Sequence, residues 1–142
     1  MKKLFSMLLV AGALALSACA PTIISASSSE SGLKNKGYTV SVLSCTEAKA
    51  RIQGLNYNIV EFSNAVFAEK GTGADHDLFI GFYFSSADAA GQFTSANNYE
   101  NLGLLNDYGD KNLGENLTKK VGYYNNVAYA GSSASYNAAF GV

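Results

Sequence analysis

The stretch SSADAAGQF, Ser85 to Phe93, returns near the C-terminus as SSASYNAAF, Ser132 to Phe140, and more weakly as SCTEAKARI, Ser44 to Ile52. A serine becomes a nucleophile when a base within hydrogen-bond reach takes its proton. The chain has one histidine, His76. It can serve at most one of Ser44, Ser85 and Ser132, and no Gly-x-Ser-x-Gly elbow is present. A second chemistry suits all three: a serine oxygen at a helix start accepts an orphan backbone N–H. Glu47 stands three residues after Ser44 in capping-box spacing, and Asp88 takes the same place after Ser85. The repetition predicts three helix starts.

The most polar concentration is GTGADHD, Gly71 to Asp77. Asp75, His76 and Asp77 offer oxygen and nitrogen ligands for a metal, or acid and base groups for a small hydrolase. Gly71, Gly73 and Asp75 resemble one turn of a calcium-binding nonapeptide repeat. That repeat requires an apolar residue where Asp77 stands, and stacked copies that this chain lacks. The other reading is a solvated hairpin loop between two strands. Cys45 is either a reactive thiol at a helix start or a small buried apolar residue. No HExxH, P-loop or Cys/His cluster occurs, so no cofactor is expected. Asn116-Leu117-Thr118 matches a glycosylation sequon.

The N-terminus has a different character. Lys2 and Lys3 precede the apolar run LFSMLLVAGALAL, which is followed by Leu16-Ser17-Ala18-Cys19. The run is shorter than the roughly 20 residues that span a bilayer, and has the form of a secretory signal. Leu, two small residues and an obligatory Cys directly after a short apolar core resemble the lipobox of bacterial lipoprotein precursors. The resemblance covers residues 1 to about 20. It implies a signal peptide over 1–18, cleavage after Ala18, and a diacylglyceryl thioether on Cys19 as the first mature residue. It implies a domain outside the cytoplasm, held on the cell membrane or outer membrane by lipid. Ala20 is permissive for the outer membrane, since Asp there favours inner-membrane retention in Gram-negative relatives. Two or more acyl chains anchor a protein stably, at about 0.8 kcal/mol per buried methylene.

Charge agrees with an anchor that works by lipid alone. The net charge is −1 over 142 residues, and charged residues make up 15%, below the roughly 25% of ordinary domains. Without residues 1–18, 124 residues remain; losing two lysines leaves 8 basic side chains against 11 acidic ones. Such a body gains nothing from anionic headgroups and has no electrostatic footprint for nucleic acid.

Residues 19–33 read as a lipidated N-terminus and Ser-rich tether, and 34–142 as one domain. GYTVSVL predicts a strand, followed by a helix from Ser44 with Cys45, Ala48, Ile52 and Leu55 on one face and Gly54 as its stop. AVFAEK predicts a second strand, and LFIGFYF a central one, apolar on both faces. The helix after Ser85 turns Ala89, Ala90, Phe93 and Ala96 inward. Residues 97–118 read as a long ordered loop that packs down through its leucines. KKVGYYNNVAYAG predicts a hairpin with Asn125-Asn126 in a type I′ turn, Tyr124 facing Val127 and Gly122 facing Tyr129. SSASYNAAF closes the chain with Ala134 and Ala138 inward.

The order describes a small two-layer α+β domain. A four- or five-stranded antiparallel or mixed sheet carries helices on one face, and the ferredoxin-like split βαβ plan is the expected connectivity. Leu78, Ile80, Phe82 and Phe84 would face the helices. Phe79 and Tyr83, joined by Phe67, would then form an apolar face. A second copy, an envelope protein partner, the tether or the Asn-rich segment could cover it. The sequence therefore favours a non-catalytic envelope binding module. The alternatives are a homodimer across that face and a hydrolase or metal-dependent enzyme using His76 with Asp75 or Asp77.

Overall fold

The computed structural model describes residues 23–95 and 100–142. The expected signal peptide, Cys19 and the inward-facing Ala96 lie outside them. The elements are α1 (Ala26–Asn35), β1 (Thr39–Leu43), α2 (Cys45–Arg51), β2 (Asn64–Lys70), a 3-10 turn (Gly73–Asp75), β3 (Asp77–Tyr83), α3 (Ala87–Thr94), α4 (Glu100–Asn112), β4 (Lys119–Tyr124), β5 (Val127–Ser132) and α5 (Ser133–Phe140). No helix among the described residues is long and apolar enough to cross a membrane.

The domain is α+β, with five strands in the order β1-β2-β3-β5-β4. Every pairing is antiparallel. A split βαβ unit sets a strand between two parallel ones; here β1 lies directly beside β2, antiparallel to it. The connectivity is therefore a meander followed by a hairpin, and the ferredoxin-like plan is not confirmed.

β3 is the central strand and all seven of its residues are buried. Strand alternation sends Leu78, Ile80, Phe82 and Phe84 to one face, where Ala48 of α2 and Ile52 just past it, Ala90 and Phe93 of α3, and Leu105 of α4 pack on them. Phe79 and Tyr83 point to the opposite face. Between them Gly81 leaves room for their rings: a Cβ there would stand 2.8 Å from Phe79 and 3.1 Å from Tyr83.

That opposite face carries two helices of its own. α1 brings Ala26 and Leu33, and α5 brings Ala138 and Ala139, onto Val66, Phe79, Tyr83, Val127 and Tyr129. The expected tether through residue 33 is corrected here: residues 26–35 form α1, which Ser25 caps by accepting from Ser28 N at 3.1 Å. The two helices meet where α1 has Gly32, since a Cβ there would lie 2.2 Å from the Ala138 carbonyl oxygen. In α5 the buried residues are Ser135, Ala138 and Ala139, while Ala134 is exposed.

The serines are helix caps. Ser44 and Glu47 form a reciprocal capping box on α2, and Ser132 does the same with Ser135 on α5. At the middle site the cap is Ser86, which accepts from Ala89 N at 3.1 Å; Ser85 lies one residue outside. The hairpin keeps its expected register, Tyr124 opposite Val127 and Gly122 opposite Tyr129. Only Asn125 has a positive φ, 48°. A type I′ turn needs two such residues, so the expected I′ turn is not formed. Residues 100–112, expected as loop, form α4.

Candidate functional site

Two helices and an edge strand bound an open hollow. α3 places Gly91, Gln92 and Thr94 along one wall, Ser95 follows them, α4 adds Leu102, and the edge strand β4 supplies Val121, Gly122 and Tyr123. The hollow is an open groove of about 610 Å³. Its geometry begins with β4: strand alternation turns Tyr123 away from Tyr124 and towards α3. There its ring meets helix backbone, because a Cβ on Gly91 would stand 3.4 Å from the ring. Tyr123 remains 53% exposed and Leu102 38%. Thr94 is buried, and its hydroxyl turns back to donate to the Ala90 carbonyl at 3.1 Å. Among the described residues, no lining side chain carries a charge. The groove is suited to holding a neutral molecule with an apolar face.

A smaller hollow of about 210 Å³ is lined by Cys45, Lys49, Tyr57, Glu61 and Phe62. The Cys45 thiol donates to the Phe62 carbonyl at 2.6 Å. Tyr57 donates to the Ile52 carbonyl, and burial pushes its hydroxyl above the ordinary tyrosine range. Lys49 sits 5.8 Å from the Tyr57 ring centroid. These are local ties within the α2–β2 connection.

The Asp75-His76-Asp77 group does not converge on a site. Asp75 accepts from the Asn116 side-chain amide at 3.0 Å. His76 Nδ1 lies 2.6 Å from the Asn112 carbonyl, so that nitrogen carries the proton, and Nε2 faces Glu69 at 3.5 Å. Asp77 is buried and accepts from the Tyr38 hydroxyl at 2.6 Å through Oδ2, while Oδ1 has no hydrogen-bond partner. Burial first, and the bond to Asp77 second, push the Tyr38 hydroxyl above its ordinary range. Three neighbours in sequence thus serve three different connections. Among the described residues no group of three or more His, Cys, Asp or Glu is placed to hold a metal.

The expected partner surface is corrected as well. Phe79 is 0% and Tyr83 2% exposed, beneath α1 and α5. Phe67 lies on the other face, because it pairs with Ile80 and shares its direction. Sequence reasoning passed over the α3–β4 groove. Its one visible signal is the pair Tyr123-Tyr124 after a glycine on an edge strand, where one ring turns inward and the other must turn out. Comparison with known protein families, curated proteins and solved structures gives no match.

Proposed function

We propose that the chain is a non-catalytic binding or interaction module, anchored by lipid on Cys19 to the outer side of a bacterial cell membrane or outer membrane. The observation that carries this reading is Leu16-Ser17-Ala18-Cys19 directly behind a short apolar run headed by Lys2 and Lys3. A Cys19→Ser chain should leave the membrane fraction and lose the size shift that accompanies processing. Membrane association unchanged by that substitution would sink the reading.

The binding surface of this module is the α3–β4 groove, in place of the sheet face. Its uncharged lining and the half-exposed ring of Tyr123 support a neutral, partly apolar occupant. Nile red, a neutral apolar probe, should brighten with the native chain and dim when Leu102→Glu and Tyr123→Ala are combined. Equal brightness in a folded double variant would remove the groove from the proposal.

A further inference from the structure

We infer that the end of the sheet bearing the Asn125-Asn126 turn faces the lipid surface, and that the Gly71–Asp77 end points away from it. The inference rests on the lipid-anchor reading of Cys19 and gives that anchor a direction.

The first described residues are held at a fixed point. Ile24 N donates to Asn126 Oδ1 at 2.7 Å, and Asn126 Nδ2 donates to the Ile24 carbonyl at 2.9 Å. Asn126 is held in turn by Phe84, directly after β3: its Nδ2 also donates to the Phe84 carbonyl at 3.0 Å, and its own carbonyl accepts from Phe84 N at 2.8 Å. The entry point therefore belongs to the β4–β5 turn.

The reach from anchor to entry point is short. From Cys19 to Ile24 the backbone spans at most about 18 Å, even fully extended. From Asp77 to Tyr83, β3 alone runs about 20 Å. An anchor on Cys19 thus holds the turn end within a tether shorter than the sheet is long. Ile23, next to the entry point, is 53% exposed and apolar.

The two ends also differ in charge. Lys36, Glu69, Lys70, Asp75, His76 and Lys119 gather at the far end, around the β2–β3 loop and the start of β4. At the turn end Ser63, Phe84, Ser85, Ser86, Tyr124 and Asn125 are uncharged, and the charges beside them are the carboxylates Glu47, Glu61 and Asp88. Bringing that end to a bilayer surface strips water from fewer ions than bringing the far end there would.

The test uses the lipidated chain isolated from membranes and reconstituted into phosphatidylcholine vesicles containing a spin-labelled headgroup lipid. A fluorophore is placed on Ser85→Cys or on Thr72→Cys, each exposed and each in a Cys45→Ser background that keeps a donor to Phe62. Quenching should be strong at Ser85 and lost at Thr72. Equal or reversed quenching, on a chain that Cys19→Ser releases from the membrane, overturns the orientation alone. A chain that stays on the membrane without Cys19 overturns the lipid-anchor reading, and the orientation with it.

Discussion

Asn126 grips Ile24 by both backbone groups across 102 positions of sequence. One side chain thereby closes the N-terminal entry onto the last hairpin. Its amide is 1% exposed and makes three hydrogen bonds, two to Ile24 and one to Phe84. Asn126→Ala strands these partners. Each unsatisfied buried group costs about 1–3 kcal/mol, so the urea midpoint should drop sharply and α1 should become open to proteolysis. An unchanged midpoint would show that the tie contributes nothing.

The helix caps can be ranked by substitution. Ser44→Ala, Ser86→Ala and Ser132→Ala should each destabilise by about 0.5–2 kcal/mol, the usual range for a lost cap. Ser132 and Ser135 are buried, so Ser132→Ala should be the largest. Ser85→Ala should lie within about 0.5 kcal/mol of the native chain, as exposed positions do. Denaturant unfolding of the four variants decides it; a large loss at Ser85 with none at Ser86 would reassign the cap.

Two helical glycines should respond in opposite directions to the same change. Gly32→Ala forces a Cβ to 2.2 Å from the Ala138 carbonyl oxygen, so α1 must lift from α5 and stability must fall. Gly103 in α4 is exposed, with nothing within 4 Å of an added Cβ. There the change should stabilise by about 0.5–1 kcal/mol through a stiffer unfolded chain and better helix propensity. Thermal melts of the two variants should move apart.

Stability should be lost at high pH through the tyrosines. Burial raises Tyr38, Tyr57 and Tyr83 above the ordinary range and lifts Tyr129 to about 12. A group raised in the folded state contributes its stability below its unfolded pKa and loses it as pH climbs through the folded value. The unfolded phenols ionise near about 10, so stability should hold to that point and then fall towards pH 12. Phenolate absorbance from these rings should rise together with loss of tertiary signal. A smooth titration of all nine tyrosines near pH 10 with the fold intact would contradict the burial argument.

The strands were legible because their residues alternate or run apolar. LFIGFYF already sorts Leu78, Ile80 and Phe82 from Phe79 and Tyr83, and the register of the hairpin follows from its length. The covering layer was not legible. α1 buries Ala26, Ser29 and Leu33, one large apolar residue among small ones, so its sequence looks like a tether. Ser29 lies beside the Tyr83 hydroxyl, yet neither oxygen makes a hydrogen bond. α4 hides Asn101 and Gly109 beside Leu105 while Leu102 and Leu104 are exposed. Asn101 earns its burial by exchanging hydrogen bonds with the Asn56 backbone, which no hydropathy pattern displays. Phe67 was misplaced because the face of a residue on β2 depends on its register with β3, and register is a tertiary property.

The packing of α1 against α5 also sets an order of assembly. β1, β2 and β3 can zip as neighbours, and β4 with β5 as a local hairpin. The first helix rests partly on β1 and β2, and its seat is complete only when the last helix and Asn126 are in place. A chain cut short before Asn126 leaves α1 without its ties to Asn126 and α5, and Phe79 and Tyr83 without the cover of α5, so the earliest described segment reports on whether the C-terminal residues have folded.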